Sequence, residues 1–440
     1  MRILFVSNLY PPNVVGGYER LCFEAAAALS ARGLTVWVLT SDYGQDVEDY
    51  PGQTVRRTLR LLTGAEVYDP YPGDAADRDR LNRANLAALS AAVAEAQPDV
   101  IFAWNLFFLD RSFLAALGGC GRPVALMLTD NWLLSMERPD YLAEYFVKHV
   151  FGSEPFPPGT GANARVQGLW VRLRSLLFPS THAVSDPVRT DRVSFHYPFA
   201  AVFGATFMRD LYQTAGITFD CSSVVHNGVS QLPGARPPRD RSKPAKAGEL
   251  RLLFAGRLVD LKGVHDVVAA LPLLQGKAKT ANWGHLRLTI VGDDRDAAYA
   301  GQLRQAIAAS GCADAVCLRP AVPEAELFGL FEDHDIYVFP SLYEPFSLTL
   351  IQALASGIPT AATRTGGNTE IVEDGVSGLL FDKNNPNDLV RAVGRLAGDP
   401  ALRAGLSAGG QRAAARFTSN AMVDGMATAL QGLAARTAAE

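Results

Sequence analysis

Two short segments hold the residues best suited to chemistry. Residues 256–263 read GRLVDLKG and set Arg257 and Lys262 in a turn flanked by Gly256 and Gly263. Residues 340–352 read PSLYEPFSLTLIQ and set Glu344 just ahead of a helical run. Two fixed cations, joined by the free amides of a helix N-terminus, suit a diphosphate. A carboxylate beside them accepts hydrogen bonds from sugar hydroxyls. The combination predicts a nucleotide-sugar site. When the bond from an anomeric carbon to a diphosphate breaks, negative charge grows on the leaving phosphate, and positive charge fixed there favours the transition state. A cation about 4 Å from a phosphate charge gains roughly 4 kcal/mol at an effective dielectric near 20. The opposing reading makes Arg257 and Lys262 surface partners of Asp260, and Glu344 a carboxylate that only complements a helix dipole.

These residues need elements to position them. LRLLFAG before the first segment reads as a strand, and GVHDVVAALPLL after it reads as a helix. The second segment follows the strand DIYVFPS. Its helix is expected to start near Phe346, offer the amides of Ser347 and Leu348, and end at Gly357 before Pro359. Further strands are expected in RILFVSN, TVWVLTSD, DVIFAWN, PVALMLTD, AAVFGAT and SVVHNGV, then in LRLTIVGD, AVCLRPAV, PTAATRT and GLLF. Alternation of such strands with helices predicts an α/β fold of parallel sheets built from βαβ units. Near the start, NLYPPNVVGGYER follows the first strand, and Gly16 and Gly17 allow close backbone approach ahead of a helix.

The whole chain sets the bounds. Its 440 residues exceed one ordinary core, so two domains are expected. We place them at residues 1–230 and 250–415, with the Pro-rich, charged stretch 231–249 as linker. Residues 416–440 form a terminal helix that could pack back across the domains. Residues 135–200 form an irregular insert, whose segment RVQGLWVRLRSLLF reads as a helix covering the sheet or as a basic lid. A net charge of −4 gives no bulk drive toward nucleic acid. Five scattered cysteines, none in C-x-x-C spacing, fit reduced thiols in the cytoplasm. MRILFVSN is too short for a signal peptide, and no apolar run approaches the ~20 residues of a membrane span. Peripheral contact at the inner membrane face stays open. Asp333-His334-Asp335 spells D-x-D, but adjacent chain positions seldom face one ion, so no metal is assigned. Asp293 and Asp294 end a strand, and His182, His196 and His226 show no metal spacing.

The chain resembles the retaining GT-B glycosyltransferases of family 4 nearly end to end. The resemblance is carried by PPNVVGGYER, VVHNGV, FAGRLVDLKG, TIVGD, FPSLYEPFSLTLIQALASGIPT and TGGNTEIVEDGVSGLLF. It implies two Rossmann-like domains facing across a cleft, the donor on the second and the acceptor on the first. Arg257, Lys262 and Gly256 would hold the donor diphosphate, and Glu344 the transferred sugar. Ser347, Leu348 and Thr349 would line phosphate and ribose, and Arg319 to Val322 the nucleobase. Gly16 and Gly17 would close on the diphosphate. The acceptor would lie near Asn105, Thr129 and Asp130. The family implies metal-free, configuration-retaining transfer, no cofactor beyond the nucleotide sugar, and UDP as the commonest nucleotide. The acceptor class, whether small molecule, lipid carrier or glycan, and the oligomeric state stay open.

Three positions depart from the family pattern. Its second glutamate falls on Gln352, where a neutral amide replaces a charged acceptor of ribose hydroxyls. A usual glycine is Ser347, a residue suited to capping. A histidine common among relatives is Thr129, which cannot carry a proton charge, while Asp130 either orients the acceptor or ends a strand. These departures motivate one alternative, a sugar-nucleotide-binding protein that has lost transfer. A nucleotide-sugar epimerase is a third reading, without a convincing acid/base set.

Overall fold

The apolar runs of the sequence pair side by side, all in parallel, in two separate sheets. The computed structural model describes residues 1–14, 16–44, 48–151, 194–230, 239–281 and 283–439. The chain divides into one unit of Met1–His226 with Met422–Glu440, and another of Asn227–Ala421.

In the first unit the strands are β1 (Arg2–Val6), β2 (Thr35–Ser41), β3 (Gln53–Leu59), β4 (Val100–Ala103), β5 (Val124–Leu128), β6 (Phe195–Phe203) and β7 (Ile217–Val224). They form a seven-stranded sheet in the order β3-β2-β1-β4-β5-β6-β7. Ile3, Phe5, Val100, Phe102 and Leu126 are fully buried, as both faces of a parallel sheet require. From Met422 onward the terminal helix Ser419–Ala439 belongs to this unit, where Asp424 pairs with Arg32 at 2.7 Å.

In the second unit the strands are β8 (Glu249–Ala255), β9 (His285–Gly292), β10 (Val316–Pro320), β11 (Ile336–Phe339), β12 (Thr360–Thr363) and β13 (Leu379–Phe381). Their order is β10-β9-β8-β11-β12-β13. Leu252, Phe254, Leu288, Ile290 and Val338 form the core with Val264, Val268 and Leu271 of the helix Val264–Thr280. In each sheet the order reverses at the first strand, between β1 and β4 and between β8 and β11. Ligands of open parallel sheets bind beyond the strand C-termini at that reversal.

Two strand expectations need correction. The strand β3, QTVRRTL, was not anticipated, and the last strand of the first unit is Ile217–Val224 rather than SVVHNGV. Both lie at sheet edges, where water on one side lets polar residues alternate with apolar ones and hides the apolar run. The stretch expected as a linker is anchored over its described part. Arg239 donates to Asp335 at 2.6 Å, and the buried Arg241 donates to the carbonyls of Phe331, His334 and Ser356. Within the expected insert, the helices Trp132–Glu137 and Pro139–Tyr145 are followed by a π-helical turn, Phe146–Val150. The segment with Arg165, Trp170, Arg172 and Arg174, and His182, lie outside the described residues. All five cysteines are unpaired, and no described helix is long and apolar enough to cross a membrane.

Candidate functional site

The two motifs occupy the reversal point of the second sheet. From the end of β8 the chain runs through Gly256 and the exposed Arg257, then turns inward at Leu258, which is 1% exposed. A 3-10 turn, Asp260–Lys262, leads to Gly263. Gly263 has φ +65°, and a Cβ there would sit 2.1 Å from the Pro340 carbonyl oxygen. Only glycine lets the β8 loop lie this close to the β11 loop. The loops are also bonded directly, the Leu342 amide donating to the Leu261 carbonyl at 2.8 Å.

This approach brings Lys262 to Glu344. The lysine Nζ lies 2.5 Å from Glu344 Oε2, with side chains 18% and 8% exposed. Nζ also stands 5.5 Å from the centre of the Phe339 ring, on the end of β11. Ser341 Oγ donates to the same carboxylate oxygen at 3.3 Å. Beneath, the Tyr337 hydroxyl donates to the Ala255 carbonyl, and burial, then the Glu344 charge, push its pKa up. Sequence reasoning gave Lys262 and Glu344 separate tasks and missed that each is the other's partner. Arg257 differs: it forms no ion pair among the described residues, so the expected alternative of an Arg257–Asp260 pair is not seen.

A second layer fixes the Glu344 loop. Thr363 Oγ1 donates to the Ser341 carbonyl at 2.5 Å, Lys383 Nζ to that of Leu342 at 3.0 Å, and the Gly367 amide to that of Glu344 at 2.9 Å. Gly367 is required, because a Cβ there would fall 2.2 Å from the Pro345 carbonyl oxygen. Burial lowers the Lys383 pKa, since its ammonium is half-buried among neutral oxygens. Sequence reasoning noted TGGN only as a matching segment and overlooked Lys383, which has no local signal.

The following helix is Leu348–Ala355, so it starts two residues after Phe346. Ser347 decides this, its hydroxyl accepting from the Leu350 amide at 3.1 Å as an N-cap. The amides of Leu348 and Thr349 have no intrahelical acceptor and are the ones left for an anion. One turn on, Gln352 is 3% exposed and its Nε2 donates to Oε1 of Glu324, a residue that sequence reasoning passed over. Glu324 opens the helix Glu324–Asp333, just past the exposed Arg319 at the end of β10 and the half-buried Val322 that follows the strand. The D-x-D residues are committed elsewhere. His334 lies between the Leu330 carbonyl and Thr289 Oγ1, and Asp335 accepts from Arg239 and from the amides of Ala245 and Arg251.

The remaining expected residues lie at the strand ends of the first sheet. Gly16 precedes the helix Gly17–Ala31, and its amide donates to Glu19 Oε2 at 2.9 Å. Asn105, past β4, accepts the Asn8 amide on its carbonyl at 2.7 Å, tying the loops after β1 and β4. Its Oδ1 accepts the Phe107 amide. Thr129, past β5, is buried, and Asp130 Oδ1 accepts the Trp132 amide at 3.0 Å. Asn105 and Asp130 thus shape their own turns, whatever else they touch.

Comparison with known families agrees with this architecture. The profile "Glycosyltransferase Family 4" matches residues 15–231, and "Glycosyl transferases group 1" matches residues 236–413. The chain belongs to the family 4 glycosyltransferases. D-inositol 3-phosphate glycosyltransferase of Arthrobacter sp. is 37% identical over 188 residues, 42% of this chain and 44% of that protein. The chain thus spans less than half the length of this relative. Among solved structures, sucrose-phosphate synthase from Thermosynechococcus elongatus superposes with a TM-score of 0.69 at 19% identity, over 99% of both chains. Anabaena HepE, solved with UDP and glucose, gives 0.62 at 18% identity over 98% of this chain and 100% of that one. These likenesses establish the GT-B fold. Within this family 4 chain, Arg257, Lys262, Glu344 and the Leu348 helix start share one unit, whereas Gly16, Gly17, Asn105, Thr129 and Asp130 belong to the other.

Proposed function

We propose that this glycosyltransferase moves a sugar from a nucleoside diphosphate, with uridine as the base, to an acceptor hydroxyl with retention of anomeric configuration. The observation that carries the reading is the Lys262–Glu344 pair at the β8/β11 reversal, beside exposed Arg257 and the Leu348 helix start. An ammonium has three N–H groups. Glu344 takes one and holds the nitrogen still, leaving two for phosphate oxygens. Arg257 supplies a planar fork for the same anion.

As the bond from anomeric carbon to diphosphate oxygen breaks, its electron pair goes to the leaving oxygen. Arg257, Lys262 and the amides of Leu348 and Thr349 take up that charge. The acceptor oxygen bonds to the anomeric carbon from the face the diphosphate leaves, and its proton passes to a phosphate oxygen. Neither a protein base nor a metal is required in this scheme. Oε2 of Glu344 is engaged by Lys262 and Ser341, so Oε1 is the oxygen offered to the transferred sugar. The acceptor, a small molecule, lipid carrier or glycan, is assigned to Asn105, Thr129 and Asp130. Uridine is supported by the HepE complex, and the five unpaired cysteines support a reaction in the cytoplasm.

Calorimetric titration with UDP, GDP, ADP and TDP in the presence of EDTA tests the donor half. Micromolar binding of UDP, lost in Arg257→Ala and Lys262→Ala, is expected. Failure of all four to bind folded protein overturns it. Acceptor-dependent UDP release separates a transferase from a protein that only binds, and the anomeric proton coupling of the product reads retention.

A further inference from the structure

We propose that Glu324 is the carboxylate that receives the ribose hydroxyls of the donor, and that Gln352 holds it there. The inference rests on the nucleoside-diphosphate reading above. In any nucleotide the ribose lies between phosphate and base. That reading puts the phosphates at the amides of Leu348 and Thr349 and the base along Arg319–Val322. The ribose must therefore bridge the start of the Leu348–Ala355 helix and the loop past β10.

One side-chain pair spans this interval. Gln352 lies four residues after Leu348, on the same helix face. Glu324 lies two residues after Val322, in the first turn of its own helix. Gln352 Nε2 donates to Glu324 Oε1, joining the two helices between the phosphate amides and the base loop. The polarity of this bond matters. The amide spends a donor on the carboxylate, and the carboxylate keeps acceptor capacity, since two oxygens offer about four lone-pair sites. A vicinal diol offers two O–H donors, and an acidic side chain on ribose hydroxyls recurs in nucleotide-binding sheets. Gln352 is 3% exposed, whereas Glu324 is only partly buried and stands nearer the solvent from which a nucleotide arrives. The charge absent at position 352 is thus present one hydrogen bond away, on a neighbouring element.

The test measures affinity for UDP and GDP, each against its 2′,3′-dideoxy analogue. Wild type should prefer the ribonucleotide by about tenfold or more, the worth of hydrogen bonds to a charged group. Glu324→Gln should bind both forms alike, with UDP affinity falling to that of the dideoxy form. The swapped pair Glu324→Gln/Gln352→Glu keeps one carboxylate and one amide and should regain most of the preference. It also serves should Glu324→Gln fold poorly. A Glu324→Gln protein that keeps the full ribose preference overturns the assignment and makes Glu324 a helix-start carboxylate, while UDP binding itself survives. Wild type binding ribo and dideoxy forms equally overturns it too. Wild type binding neither UDP nor GDP overturns the parent reading along with it.

Discussion

Lys262 and Arg257 serve one anion but stand in different surroundings, so their loss should differ in kind. Removing Lys262 leaves Glu344, 6% exposed, as a buried carboxylate without its cation. Uncompensated buried charges cost about 3 kcal/mol or more. Lys262→Ala should therefore lower the unfolding midpoint at pH 7 and also cut turnover by about 100-fold, as expected when one fixed charge on a leaving group is lost. Arg257 is exposed and unpaired among the described residues. Arg257→Ala should change stability by no more than about 0.5 kcal/mol, yet weaken UDP binding clearly. Denaturant melts and titrations on the two variants check this, and equal stability losses would sink the contrast. Glu344 follows the same logic. Because its Oε2 orients Lys262, Glu344→Ala should weaken binding of free UDP as well as use of the donor sugar, and unchanged UDP binding would limit Glu344 to the sugar.

The elements explain why the motifs were legible and their wiring was not. GRLVDLKG and the Glu344 loop are contiguous in sequence, so their chemistry and strand-to-helix setting could be read directly. The Lys262–Glu344 pair joins positions 82 apart and depends on a backbone approach that only the folded sheet reveals. Its one local sign is Gly263. Gly263→Ala meets a positive φ and a carbonyl oxygen 2.1 Å away. It should cost about 3 kcal/mol or more and part Lys262 from Glu344. Gly276, inside the following helix, has nothing within 4 Å of an added Cβ. Gly276→Ala should instead stabilise by about 0.5–1 kcal/mol. Chemical melts of both decide whether space or mere glycine content sets the outcome. The same limit hid Glu324 and Lys383, whose partners lie on other elements. It hid β3 and the true extent of β7, because an edge strand does not need the apolar run that marks a central one.

At the scale of the whole molecule, the described approach to β8 is sewn to the second unit by arginines. Arg241 is almost fully buried, its pKa lowered to about 10 by burial, and it donates to three backbone carbonyls and to Glu332. Arg241→Ala would take this donor from the Phe331 and Ser356 carbonyls, while that of His334 keeps Arg239, and should cost about 3 kcal/mol. The His334 side chain gives this seam a pH dependence. Its Nδ1 lies 2.7 Å from the Leu330 carbonyl and must donate, and in the neutral ring Nε2 accepts from Thr289 Oγ1. Burial lowers its pKa below the usual 6.5 and Arg251 adds to this, although the hydrogen bond to Leu330, and then Asp333 and Asp335, oppose the shift. The unfolded chain therefore binds more protons between that lowered value and 6.5. This contribution to stability is intact above about pH 6.5 and is lost as pH falls through the folded pKa, with a slope of up to ~1.4 kcal/mol per pH unit. Glu249 titrates elsewhere. Its pKa is lowered to about 2 by Lys246 and Arg251, so its stabilisation is present above 4.5 and fades only below that. Melts between pH 5 and 7.5 should thus show destabilisation on the acid side in wild type. His334→Gln, less stable throughout, should show a flatter profile over that range. Parallel profiles for the two proteins would place the pH dependence in other groups.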